Sequence, residues 1–106
     1  KHGTIALIEK NTLVVAVSTQ RELVEKLVSN IIEVKARGAH VLAISYGSSE
    51  AIREQADEFL PLPETDDLLA PIVSVIPAQL FAYYCAVLRG FDPDKPRNLA
   101  KSVTVE

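Results

Sequence analysis

Methionine and tryptophan are absent from the 106-residue chain, cysteine occurs once, histidine twice and glycine only four times. Each scarcity removes a class of protein. A chain without methionine does not start at an untouched translation start, so Lys1 is expected to open a processed or truncated product. The single Cys85 excludes an internal disulfide framework and a multi-cysteine zinc site, and fits a reducing, cytoplasmic setting. The two imidazoles, His2 and His40, are not clustered with carboxylates at ligand spacing, so no metal is expected. No uninterrupted apolar run approaches the roughly 20 residues of a membrane span, and the amino end lacks the apolar core of a signal peptide. Basic residues are not in excess either: the net charge is −3 and the pI is near 5.4. Neither a nucleic-acid face nor a polybasic membrane anchor is indicated.

What remains is a globular composition, with 48% apolar and 24% charged residues, in a length that suits one domain or a piece of one. Leu13-Val14-Val15-Ala16-Val17 is an apolar, mostly β-branched run, the pattern of a strand buried on both faces. Thr19-Gln20-Arg21-Glu22 has the form of a capping box, in which a hydroxyl and a carboxylate satisfy each other's backbone amides. Leu23, Leu27, Ile31 and Val34 then recur at helical spacing, widened by Val24, Val28 and Ile32. Lys35 and Arg37 suit the last turn, and Gly38 a left-handed terminator. Val41-Leu42-Ala43-Ile44 reads as a second buried strand. Strand, helix and strand in about 30 residues make a βαβ unit, and hence a parallel sheet with helices on its faces.

Ser48 to Ala56 suits a short helix, and Glu58 to Leu62 an edge strand kept short by Pro61 and Pro63. From Asp67 to Arg89 the chain is apolar and ends at Gly90. Pro71 fits a first helical turn, whereas Pro77 should kink the helix or split it. Leu80, Phe81, Tyr84 and Leu88 fall on one face, which would suit an interaction scaffold. Ile5-Ala6-Leu7-Ile8 is too short to distinguish strand from helical turn. Residues 91–106, with Pro93 and Pro96, have no helical period and read as a tail.

Several side chains invite a chemical reading. The loop Gly47-Ser48-Ser49-Glu50 offers amides and hydroxyls to a phosphate. No second glycine or lysine completes a recognised cradle, so a serine capping the next helix is the simpler reading. No cofactor is expected. His40 at a strand entrance is read as structural. Cys85 is taken as a buried, inert thiol, and Asp66-Asp67 as carboxylates favouring a helix amino end. Tyr83 and Tyr84 are adjacent on a helix and diverge, which argues against an aromatic cage. On the residues alone, Lys101 is a solvated tail lysine, although a lysine near a sugar carbonyl forms an imine once its ammonium loses a proton.

A resemblance changes the weight of the tail. Lys1-His2-Gly3-Thr4-Ile5-Ala6-Leu7-Ile8 resembles the lysine-histidine-glycine-proline stretch of the glutamine–fructose-6-phosphate aminotransferase family, the glucosamine-6-phosphate synthases. Asp94 to Glu106, with Arg97-Asn98-Leu99-Ala100-Lys101-Ser102-Val103-Thr104-Val105-Glu106, is similar to that family's carboxyl terminus nearly letter for letter. Glu22 to Leu27, Glu33 to Gly38 and Ala70-Pro71-Ile72 follow the same template in order.

The resemblance implies a three-layer α/β/α parallel sheet of the sugar isomerase (SIS), flavodoxin-like type, truncated at its amino-terminal end. Residues 1–90 would be the carboxyl-terminal SIS subdomain without its first strand and helix, and residues 91–106 an active-site tail. It further implies that Lys101 forms an imine with open-chain fructose 6-phosphate and that His2 assists ring opening in a neighbouring subunit's site. Ala100 would line the sugar site through its backbone, and Arg97 would lie in the tail that covers the sugar. The implied partners are fructose 6-phosphate, ammonia from glutamine, a glutaminase domain, a first SIS subdomain and a second copy of the chain. Thr4 stands where the family usually has proline. The family glutamate that moves a proton between the first two sugar carbons has no counterpart in this chain, so the segment alone is expected to be inactive. A non-catalytic sugar-phosphate-binding SIS module is the competing reading, and the tail lysine separates the two.

Overall fold

A computed structural model describes residues 3–95. Those residues fall into two compact units that divide between Ser74 and Val75.

The first unit is built on a parallel sheet. Strands β1 (Leu13–Ser18), β2 (His40–Tyr46) and β3 (Glu58–Leu62) lie side by side in that order. The register pairs Leu13 with His40, Ser18 with Ser45 and Tyr46 with Leu62. Helix α1 (Val24–Ala36) connects β1 to β2, and helix α2 (Glu50–Gln55) connects β2 to β3. β3 has the bounds that the prolines predict and forms one edge, where Pro61 breaks no ladder on its outer side.

Alternation along the strands sorts their side chains onto two faces. On one face Ala16, Val41 and Ala43 pack with Ile31 of α1 and Ile52 of α2, flanked by Val24, Leu27, Val28 and Val34. On the other, Ile44, Tyr46 and Leu62 meet Ala70 and Val73, at the start of helix α3 (Ala70–Leu88). The unit is therefore layered α/β/α, as expected.

The strand β1 departs from expectation. It is not buried on both faces: Leu13, Val15 and Val17 are 48%, 39% and 45% exposed. β1 is the other edge of the sheet, and no other element of the first unit covers its second face. The capping box does not form either. A 3-10 turn, Arg21–Leu23, precedes α1, and its cap residue Gln20 makes no side-chain cap bond. That extra turn moves the helix start to Val24, out of register with Thr19 and Glu22.

The far end of α1 behaves as predicted. Gly38 is left-handed at φ 91°; its amide donates to the Lys35 carbonyl at 2.8 Å, and the Ala39 amide donates to the Val34 carbonyl at 3.2 Å. This is a Schellman closure. A Cβ at Gly38 would lie 3.1 Å from the Lys10 Cα, so backbone approach as well as conformation requires glycine. The ambiguous stretch near the amino end is a 3-10 turn, Thr4–Leu7.

The described part of the second unit, residues 75–95, carries the rest of α3. The helix runs unbroken through Pro77, so the split allowed by sequence does not occur. Gly90, left-handed at φ 74°, ends it with the same pair of bonds: Gly90 to Val87 and Phe91 to Ala86, both 2.9 Å. Leu80, Phe81, Tyr84 and Leu88 are exposed, and so is Cys85, contrary to the buried thiol expected. Tyr83 and Tyr84 do meet, edge to face, with ring centroids 5.4 Å apart. By length and composition α3 is long and apolar enough to cross a membrane, although Pro71, Ser74, Pro77 and Gln79 interrupt its apolar run. Apolar helices inside proteins share this property.

Candidate functional site at the carboxyl edge of the sheet

Three parallel strands in register deliver three loops to the same edge. Ser18-Thr19-Gln20 leaves β1, Gly47-Ser48-Ser49 leaves β2, and Pro63-Glu64-Thr65 leaves β3. Open parallel sheets hold their ligands beyond this edge.

A polar network closes over it. Arg21, in the turn that follows β1, places its guanidinium 4.4 Å from the Tyr46 ring centroid. One guanidinium nitrogen donates to Glu64 Oε2 at 2.9 Å, and the other pairs with Asp67 Oδ1. The second carboxylate oxygen of Glu64 accepts the Ser48 hydroxyl at 2.6 Å and lies 3.4 Å from the Ser48 amide. Hydrogen bonds from Ser48 and then Arg21 hold the Glu64 carboxyl below its usual range, against a smaller opposing effect of desolvation. The Glu64 hydrogen bond correspondingly raises the Arg21 guanidinium. Beneath the network Tyr46 is 2% exposed, and its hydroxyl has no partner among the described residues, nor has that of the buried Ser45.

The capping reading of the Gly47-Ser48-Ser49 loop holds in position but not in side-chain bonding. Ser49 is the cap residue of α2 but makes no side-chain cap bond, and the Ser48 hydroxyl is directed to a carboxylate instead. Of the acidic pair, Asp66 does serve the entry to α3, accepting the Leu68 amide at 2.9 Å, while Asp67 is drawn to Arg21.

A second network braces the opposite edge. Asp57 accepts the Lys35 ammonium and the Val41 amide, at 2.9 and 2.8 Å. These two bonds, the lysine's first, lower its pKa. His40 Nδ1 stands 4.0 Å from the same carboxylate, and the residue opens β2 as a structural neighbour of Asp57.

The residues on which the sequence reading placed the chemistry, His2, Arg97, Ala100 and Lys101, lie outside the described residues. The Arg21–Glu64–Asp67 network was not anticipated. Its only signal was the presence of charged residues in loops that follow parallel strands, visible once β1, β2 and β3 are aligned.

The fold and this edge define an open parallel α/β domain whose strand-end loops face one side. Comparison with known proteins narrows the class: residues 1–89 match the SIS domain, and the chain belongs to that family. Among curated proteins it is 54% identical over 108 residues to the glutamine–fructose-6-phosphate aminotransferase (isomerizing) of Clostridium perfringens, covering all of this chain and 18% of that protein. It is 54% identical over 106 residues to the enzyme of the same name from Thermococcus kodakarensis, again over the whole chain and 17% of that protein. The solved carboxyl-terminal domain of glucosamine-fructose-6-phosphate aminotransferase from Francisella tularensis superposes with a TM-score of 0.73 at 36% identity. That match covers 86% of this chain and 26% of the Francisella chain. The chain thus spans less than a fifth of the length of these curated relatives.

Proposed function

We propose that this chain is the carboxyl-terminal SIS segment of a glutamine–fructose-6-phosphate aminotransferase (isomerizing), an enzyme that makes glucosamine 6-phosphate from fructose 6-phosphate and glutamine. The observation that carries the reading is the 50–55% identity to the aminotransferases so named, which extends over the entire chain. The tail, from Asp94 to Glu106, supplies the second support through its resemblance to the family's carboxyl terminus.

In this reading Lys101 acts through its neutral amine. Its Nζ attacks C2 of the open-chain keto sugar, and loss of water leaves an imine. A site that desolvates the amine would favour its neutral form. His2 moves a proton between the anomeric hydroxyl and the ring oxygen, a task suited to a group that titrates near neutrality. Ala100 lines the sugar through its backbone, and Arg97 belongs to the segment that closes over it. The tail, residues 91–106, is then a catalytic appendage to an SIS subdomain over residues 1–90.

The uncovered face and free edge of β1, with Leu13, Val15 and Val17 exposed, suit a further strand and helix supplied by the preceding part of a longer protein. That longer protein also supplies the first SIS subdomain and the glutaminase domain that releases ammonia. It works as a cytoplasmic homodimer in which His2 serves the partner's site. The isolated segment makes no glucosamine 6-phosphate, because it lacks the glutamate that moves the proton between the first two sugar carbons.

Borohydride trapping tests the assignment. Fructose 6-phosphate is reduced onto the full-length protein that carries this segment, and peptide mass spectrometry maps the adduct. The expected adduct is on Lys101 and is lost in Lys101→Arg. An unmodified Lys101 in a protein that turns over substrate would reduce the tail to a lid and favour a sugar-phosphate-binding module.

A further inference from the structure

At the carboxyl edge, the loop after β2 and the turn after β1 present an arrangement that suits an oxyanion. The Ser48 hydroxyl and amide approach one oxygen, and an Arg21 guanidinium nitrogen approaches another. The group that occupies it is Glu64, an internal carboxylate carried on the loop after β3. Its two oxygens are divided between the two sets of donors, as two oxygens of a bound phosphate would be.

Arg21 does not owe its position to Glu64 alone. Its other nitrogen is held by Asp67, and its plane lies over the Tyr46 ring. Removing Glu64 therefore leaves the guanidinium in place, with the nitrogen that bonded it still 3.4 Å from the Thr65 carbonyl but with one of its two hydrogens free. The charge balance changes as well. With Glu64 present, one cation faces two carboxylates, so an incoming anion meets net repulsion and donors that are already engaged. Without it, one cation faces one carboxylate, and the Ser48 hydroxyl is free.

We propose that Glu64 is a built-in anion that fills and closes an oxyanion cradle formed by Arg21 and Ser48, so that this edge of the sheet rejects phosphate-type ligands for as long as the Glu64 side chain is in place. The cradle takes inorganic phosphate or a phosphate monoester once the Glu64 side chain is removed. This contact lies within residues 21–67 and does not depend on the tail. Its consequence for the proposed enzyme is that the substrate phosphate is held elsewhere in the longer protein.

Titration calorimetry with inorganic phosphate tests the proposal in the full-length protein that carries the segment. Glu64→Ala is expected to add one saturable phosphate site per chain to those of the unsubstituted protein. Arg21→Ala in the Glu64→Ala background is expected to weaken that added site by about tenfold or more, as loss of a charge-assisted contact implies. Glu64→Ser, whose side chain is too short to reach the cradle, is the second variant should the alanine chain fail to fold; it too is expected to gain the site. No added site in a folded Glu64→Ala or Glu64→Ser protein contradicts the proposal. So does an added site indifferent to Arg21, or an Arg21-dependent phosphate site already open in the unsubstituted protein. Failure of the aminotransferase reading would change the number of sites before substitution, but not the increment.

Discussion

Asp57 joins three parts of the first unit. It accepts the ammonium of Lys35 from the end of α1 and the amide of Val41 in β2, while belonging to the link between α2 and β3. Both bonds require the ionised form, which is why its folded pKa is depressed, as is that of Glu64 at the other edge. A depressed folded pKa means that the unfolded chain binds the proton more readily. The stabilisation is therefore complete above the ordinary carboxylate range, about pH 4, and is lost as pH falls through the lower folded values. Urea midpoints of the full chain between neutral and acid pH are expected to decline below that range. Asp57→Asn should lower the neutral-pH midpoint and flatten the acid limb. An unchanged acid limb in Asp57→Asn would remove Asp57 from the account.

Among the elements, the two faces of the sheet make different demands. Ile52 is fully buried between α2 and the sheet, and Ile52→Ala is expected to cost roughly 2–5 kcal/mol, read from denaturant midpoints. Val15 projects from the uncovered face of β1. Val15→Ala should be within about 0.5 kcal/mol of neutral in the 106-residue chain but clearly destabilising in the proposed longer protein, where a preceding strand and helix would cover it. Equal costs in both settings would argue against that covering element.

The strands, α1 with its Gly38 closure, and α2 were legible because periodicity and terminator chemistry are local. The exposed face of β1 was not: a run of β-branched residues records that a strand is apolar, but not how many neighbours it has. At Pro77 the sequence left a kink and a split both open. Its missing amide argues for either, and the helix continues through it unsplit. The edge network was hidden because Arg21, Ser48 and Glu64 are 16 to 43 positions apart in sequence and meet only through strand register. The tail shows the reverse limit. Its proposed chemistry rests on resemblance alone, with no periodic pattern to carry it.

For the whole molecule, membership of the SIS family and the match to a solved aminotransferase carboxyl-terminal domain support the proposal that the chain works as part of a larger enzyme. The most direct measurement is a replacement. This chain is substituted for the corresponding segment of the Clostridium perfringens aminotransferase, and glucosamine 6-phosphate formation from fructose 6-phosphate and glutamine is followed. The hybrid is expected to be active, and Lys101→Arg within it to abolish synthesis while leaving glutamine hydrolysis measurable. A folded hybrid that hydrolyses glutamine but makes no amino sugar, or one in which Lys101→Arg keeps full synthase activity, would contradict the account.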